Sequence, residues 1–428
     1  MHHRLTVRLV VVALASATAV HLAAQPPYEG PRAVVVTEVL PAAFVKGPHY
    51  EVGPQVKTDG YFDEFAVTSD FGNFEAEGQT LLAVRLREVE ALARLADVSK
   101  TEVFLSAAGD SVVNVGKGAV NAATDPVGTA KGLGTGIKRF GVNLGRKTQR
   151  VAENVSAGPP EGAPEKSATE KAAAAGESTA NAALGVNSAM RRWAEKVGAD
   201  PYTTNAALRQ ALEDIGRVDA AGGIAAKVVV PIPMVVSSAG TVGNLVWGTD
   251  PEELLKMNEK RLAELGVAQE AAKAFVRTRA LTLTYQTAFI DGLYAVKPRG
   301  SVDYVETATG CETEREALFF AEGAVLLKDL HAKRPVTAVL PDSRALVVKT
   351  SDGTAVVLLP VDWVRWTAPF DKAATEVAAR AREELGATRL ELHVTGRMSR
   401  AAKERLTARG WAITENVPVS VYASRTRQ

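Results

Sequence analysis

Cysteine is almost absent from this chain of 428 residues, with Cys311 as the only one. No intramolecular disulfide can form, so stability has to come from a buried core. Histidine is scarce too. His2, His3 and His21 lie at the extreme N-terminus, and His49, His331 and His393 share no HxxxH or HxH spacing, which leaves no histidine-based metal motif. Aromatic residues make up only 6% of the chain, while alanine and glycine are abundant, a balance that favours small-residue helix packing. Neither sign of charge dominates, because 50 basic residues meet 49 acidic ones. Any attraction to nucleic acid or to an anionic surface is therefore local rather than global.

Several chemistries lack their motifs. No Gly-x-Ser-x-Gly elbow and no Walker lysine pattern occur. Gly132-Leu133-Gly134-Thr135-Gly136 does not follow a predicted strand, as a nucleotide-binding loop would. Cys311 opens an apparent helix, Glu312–His331, where a thiolate is favoured, but no base accompanies it in a recognisable motif. A buried thiol is the simpler reading. Acidic pairs such as Glu252-Glu253 and Glu383-Glu384 fall at helix starts or solvent faces, without the framing of a glycosidase dyad.

The N-terminus reads as an export leader. Arg4 and Arg8 precede the apolar run Leu9–Val20, and Leu22-Ala23-Ala24 offers small residues for cleavage. Without Arg4 and Arg8, 48 basic residues face 49 acidic ones. The predicted location is the periplasm or cell envelope of a bacterium.

The densest signal is a glycine row on a basic background. Gly128, Gly132, Gly136, Gly141 and Gly145 recur at four- or five-residue steps, among Lys117, Lys131, Lys138, Arg139, Arg146, Lys147 and Arg150. Glycine costs a helix about 1 kcal/mol per site relative to alanine. A glycine face, however, lets a second helix or a lipid surface approach closely. Two readings follow: a face docked on membrane or partner, with Lys and Arg toward headgroups or acidic residues, or a close-packed internal helix pair with a solvated basic side. Val228–Thr249, which carries no charge, fits a buried segment or an interfacial element. Two prolines, Ser237-Ser238 and Asn244 make it a poor spanning helix.

Asp-Pro pairs at 125–126, 200–201 and 250–251 mark helix starts. Residues 156–183 hold no large apolar side chain and read as a disordered linker. Strands are expected within 29–76, and helices over Gln79–Asp97, Asn205–Ala221, Glu252–Leu265, Ala268–Arg279, Leu283–Val296 and Glu312–His331. Ser99 to Glu102 has capping-box spacing for a further helix. Beyond 334 the pattern becomes β-β-β-α-β-α-β, with a hairpin at Ser351-Asp352-Gly353 and helices Lys372–Leu385 and Arg400–Arg409, the second capped by Ser399. Gly396–Ser399, between a strand and a helix start, is a place where an anion could sit. Trp363 and Trp366 flank Arg365 as either sheet core or a surface for sugars or peptides. His393 alternates with Glu391 on a polar strand face.

The expected fold class is α+β: a mainly helical, Gly-rich core with a short β-containing N-terminal region and a small C-terminal α/β domain. The expected divisions are 1–24 (signal peptide), 25–155 (β region followed by Gly-rich helices), 156–183 (linker), 184–333 (helical) and 334–428 (α/β). The expected function is a non-enzymatic cell-envelope protein docking on a membrane surface or an envelope protein through Gly128, Gly132, Gly136, Gly141, Gly145, Lys131, Lys138, Arg139, Arg146 and Lys147. No nucleic-acid partner, metal or cofactor is expected, and lipid is a possible ligand. The rival classes are an envelope hydrolase with no nameable catalytic residues and a periplasmic lipid carrier with an apolar cavity between helices at 103–150 and 208–248.

Overall fold

The computed structural model describes residues 28–30, 32–101, 185–222, 224 and 241–421. The glycine row, its cationic neighbours, the 156–183 segment and the leader lie outside the described residues. Of the lipid-carrier cavity expected from the sequence, the 103–150 side lies outside the described residues, and of the 208–248 side residues 208–222, 224 and 241–248 are described.

The chain is of mixed α+β type. Its N-terminal part is an antiparallel sheet built around β5 (Asp63–Ser69). One edge of β5 pairs with β6 (Gly72–Glu77), and the other with β3 (Tyr50–Val52) and then β4 (Gln55–Thr58), which bend apart at Gly53-Pro54. Short β1 (Val34–Val35) and β2 (Lys46–Gly47) complete it. Asp63, Phe65 and Val67 point inward while Glu64, Ala66 and Thr68 face out, the period-two alternation of a half-buried strand. The expected extended stretch at 31–39 is corrected in part, because Val36–Val39 (α1) forms a single helical turn, as does Ala42–Val45 (α2).

Helix α3 (Gln79–Ser99) leaves this sheet with Leu82, Leu86 and Val89 buried. Ser99 is its last residue, and its hydroxyl donates to the carbonyl of Ala96 instead of opening a new helix. A helix over 185–197 (α4) and α5 (Ala206–Gly222) pack on α3 through Trp193, Leu208, Leu212 and Ile215. A buried ionic network fixes this arrangement. Arg85 donates to Glu88 at 2.8 Å and also to Glu314. Asn205 donates to Glu88 at 3.1 Å, and Tyr285 to Glu314 at 3.0 Å.

The uncharged 228–249 segment is described only from 241. There it forms α6 (Thr241–Gly248), with Val246 buried and the Trp247 indole donating to the carbonyl of Ala199. Among the described residues no helix is long and apolar enough to cross a membrane. Asp250 caps α7 (Pro251–Glu264), accepting from the amide of Glu252 with Pro251 in the first turn, as the Asp-Pro signal predicts. Asp200-Pro201 instead opens a turn, and α5 starts only at Ala206, behind Asn205. Then follow α8 (Gln269–Val276), α9 (Leu283–Val296), α10 (Ser301–Thr309) and α11 (Glu314–Lys333). Helix α10 has no counterpart in the sequence reading.

Helices α9 and α11 cross at Gly292. A Cβ there would lie 2.3 Å from the carbonyl oxygen of Ala324, so only glycine permits the contact. Helix α11 starts later than expected, because a capping box joins Thr313 to Glu316. Cys311 therefore sits before the helix, buried, with burial pushing its thiol up to about 11, far from a reactive thiolate.

The C-terminal sheet has the order β13-β11-β9-β8-β7, made of β7 (Val336–Val339), β8 (Leu346–Thr350), β9 (Thr354–Leu359), β11 (Arg389–Val394) and β13 (Trp411–Thr414). Strands β9, β11 and β13 are parallel, and β8 is antiparallel to both of its neighbours. The β8–β9 hairpin turns at Gly353 with a φ of 83°, where glycine avoids strain. Helices α12 (Ala368–Glu383) and α13 (Arg400–Ala408) cover one face and α11 the other. Every residue of β9 is buried, as a central strand between two helical layers requires.

Four details depart from the sequence reading. Strand β7 was missed. Trp363–Val364 (β10) pairs with Arg397–Met398 (β12) as a separate two-stranded ribbon instead of extending the sheet. Residues 417–421 form no strand; the amide of Val417 bonds the carbonyl of Val394, and Val421 is buried in the main core. Helix α12 starts earlier than the expected Lys372, at Ala368, with Thr367 as its cap.

Candidate functional site

Between the C-terminal sheet and α12 lies a cavity of about 480 Å³, within the range of small-molecule pockets. Its floor is the alternate face of the strands: Val357 and Leu359 from β9, Leu392 from β11 and Trp411 from β13. Its roof is Phe370, Ala373, Ala374 and Val377 of α12. The origin of the space is visible in the sequence of that helix. The residues of α12 buried against the sheet are Phe370, Ala374, Ala378 and Ala381, and three of these four are alanines, which bring little bulk to the strand side chains opposite.

One side wall comes from elsewhere in the chain. Tyr61 and Phe62, in the turn between β4 and β5, close the cavity together with Phe319 of α11. Backbone hydrogen bonds hold this wall in place: the amides of Asp362 and Trp363 donate to the carbonyl of Tyr61 at 2.9 and 3.1 Å. Asp59 accepts from the amides of Tyr61 and Phe62 at 2.8 and 2.7 Å. Burial, reinforced by the Asp59 carboxylate, raises the Tyr61 phenol above its ordinary range. That hydroxyl is therefore neutral at physiological pH.

The mouth is polar. Arg315, Arg344 and Arg380 stand there beside Glu316, Asp342 and Glu376. Arg315 reaches Asp59 at 3.1 Å and Glu77 at 2.8 Å, and its guanidinium lies 4.9 Å from the centre of the Phe62 ring. Arg344 pairs with Glu316. Burial works against ionisation of Glu316, but the amides of Glu312 and Thr313 and the Arg344 charge outweigh it and leave the carboxyl below its usual range. Arg380 donates to Glu384 and to the carbonyl of Pro341; the Glu384 bond is the main reason its guanidinium is held even more firmly protonated. The result is an apolar interior with a charged rim. Such a shape accommodates an amphiphile: chain inside, polar end at the mouth.

The residues singled out in the sequence fall in different places. The ten Gly, Lys and Arg residues of the 128–147 row lie outside the described residues. Trp366 is fully buried and Trp363 half-buried under Arg397, 4.4 Å from its ring centre, so the pair presents no flat platform for a sugar. At Gly396–Ser399 an anion is indeed held, and it comes from the chain itself. The Glu29 carboxylate accepts from Ser399 Oγ at 2.5 Å and from the amide of Trp366 at 2.6 Å. Ser399 also caps α13. His393 pairs with Glu391 at 3.3 Å, and Glu391 with Arg334 at 2.6 Å. Burial lowers the imidazole below its ordinary value despite the Glu391 charge. Among the described residues no group of three or more His, Cys, Asp or Glu side chains could hold a metal ion.

Sequence reasoning missed the cavity because no short stretch encodes it. Its lining comes from eight separated segments, and the one local trace is the alanine-rich inner face of α12. The chain matches no family model, no curated protein and no solved structure.

Proposed function

We propose that this is an exported, non-enzymatic cell-envelope protein that binds an apolar amphiphile, such as a fatty acid, in its C-terminal part. In this reading the basic, Gly-rich segment around Gly128 to Lys147 brings the protein to a membrane surface or an envelope partner, and the helical, Gly-rich core expected from the sequence belongs to that docking element. The observation that carries the proposal is the 480 Å³ apolar cavity with its arginine-bearing rim. Binding is favoured over turnover because the only serine in the lining, Ser343, donates its hydroxyl to the carbonyl of Ala345 at 2.8 Å. Among the described residues no histidine lines the cavity to act as its base.

The test uses cis-parinaric acid and the purified full chain. Trp411 in the cavity floor is positioned to transfer its excitation to a bound polyene. Saturable one-site binding with quenching of tryptophan emission is expected, and Val377→Trp, which fills the roof, should abolish it while the fold persists. A folded wild-type protein that takes up no parinaric acid would overturn the ligand reading. Fractionating the native host tests the docking element: high salt should release a protein held by the basic face, whereas recovery entirely in the soluble envelope fraction would sink membrane attachment.

A further inference from the structure

Three buried carboxyl groups that play no part in the cavity lining meet behind its Tyr61–Phe62 wall. Asp63 is fully buried, and one of its carboxyl oxygens has no hydrogen-bond partner; the other accepts from Gln79 Nε2 at 3.3 Å. Glu322, on the face of α11 toward this seam, is 4% exposed, and it too has an oxygen without a partner. Asp362 makes the bridging contacts. Its carboxyl accepts from the amide of Asp63 at 3.0 Å and from the amide of Gln79 at 3.0 and 3.1 Å. Gln79 is the first residue of α3. An acid from the C-terminal part therefore caps a helix of the N-terminal part and pins the turn that walls the cavity.

Little positive charge reaches the cluster. From the β4–β5 turn come Asp59 and Asp63, and from β6 comes Glu77. The start of α3 offers only uncharged Gln79 and Thr80. Arg315 of α11 is engaged by Asp59 and Glu77 at the rim, and Arg365 turns toward the Trp363 ring. Arg397 alone acts on Asp63. Carboxyls in so dry and so poorly compensated a space cannot all ionise together.

We infer that Asp63, Glu322 and Asp362 form a proton-operated clasp, which holds the Gly60–Asp63 wall and the start of α3 on the C-terminal part when protonated and slackens when it loses its protons. For ligand retention, the inference rests on the amphiphile reading above; the clasp itself does not. Burial is the leading influence on each acid. It raises Asp362 to about 7, with Asp63 and Asp59 adding to the effect and the two amides opposing it. Glu322 goes to about 8, and Asp63 also moves upward. All three sit above the unfolded carboxyl range of about 4, so the folded state binds more protons than the unfolded one between those limits. Their contribution to stability is complete below about pH 4 and is lost as pH rises through about 7 to 8.

Amide hydrogen exchange on the full chain tests this without needing a ligand. After correction for intrinsic rates, protection of the Asp63 and Gln79 amides should fall about tenfold or more from about pH 5.5 to about pH 8.5. In Asp362→Asn that fall should shrink to within about threefold, and Glu322→Gln serves as the second variant if the first does not fold. Unchanged wild-type protection across the window would overturn the clasp, as would an undiminished fall in both variants. Parinaric acid dissociation, followed in parallel, should accelerate over the same pH range. If protection falls but parinaric acid never binds, the clasp stands and the ligand reading fails; if binding is saturable but protection is constant, the reverse holds.

Discussion

The two faces of the C-terminal sheet bury strand residues of the same kind but meet helices of different bulk. On one side, α11 brings Leu318, Leu326 and Leu327 onto Leu346, Val348, Val356 and Leu358. Behind it stands an aromatic stack, with Phe289 5.2 Å from Phe275 and 5.6 Å from Tyr304. Even the glycines serve close contact there, since Gly292 touches the backbone at Ala324. On the other side, α12 presents alanines to Val357, Leu359 and Leu392, and the 480 Å³ cavity remains. Interiors are normally filled to crystal-like density. A void of this size beside a tightly packed layer in the same domain therefore marks a place where filling was not the requirement, and ligand binding supplies a reason.

Truncations should separate the faces most sharply. Phe289→Ala should cost about 3–5 kcal/mol in urea unfolding, because nothing can relax into the space it leaves. Phe370→Ala, on the α12 side, should cost about 1–2 kcal/mol, since that ring already borders empty space on one side. Equal losses would mean that the two layers are packed alike. Next in size is Glu29→Ala, which removes the carboxylate bound by Ser399 and the Trp366 amide. A loss of about 1–2 kcal/mol is expected, with exchange at the Trp366 amide rising first. The smallest stability effect belongs to Ala374→Leu. Added to the roof of the cavity, it should leave stability within about 1 kcal/mol of wild type, whereas extra bulk on a filled face is costly. Parinaric acid affinity should nonetheless fall about tenfold or more. A strongly destabilised Ala374→Leu would show that the cavity is not available space.

The clasp adds a contrast within the molecule. The Arg85–Glu88–Glu314 network is buried yet compensated, with a cation between two carboxylates and Thr204, Asn205 and Tyr285 supplying further bonds. The Asp63–Glu322–Asp362 cluster is buried without such a cation and has oxygens left unpaired. Charge removal from a compensated network leaves a partner stranded. Proton uptake by an uncompensated one relieves it. The first is suited to permanence and the second to response.

Much of the local structure was legible from the chain. Helix α9 was bounded at Leu283 and Val296 from its apolar spacing, and Asp250-Pro251 and Ser399 marked helix starts correctly, because capping is settled within one turn. The hairpin at Ser351-Asp352-Gly353 was equally plain. Where a neighbour in space decides the outcome, local reading failed. Trp363–Val364 reads as one more strand of the sheet, but its partner is Arg397–Met398. Ser99 has the spacing of a cap, but it is the last residue of α3. The anion site at Gly396–Ser399 was visible as a loop, while its occupant, Glu29, lies 370 residues away.

What the sequence determined by itself was the placement of most helices, the turns and the central hairpin. These depend on propensities, caps and periodicity acting over a few residues. Tertiary structure alone decided that the alanine face of α12 would lie over Val357, Leu359 and Leu392 with space left between the layers. It also brought Tyr61 and Phe62 to close the resulting space and gathered Asp63, Glu322 and Asp362 behind them. Volume, and the cost of burying charge, are properties of groups brought together from distant parts of the chain, and no local stretch of sequence contains them.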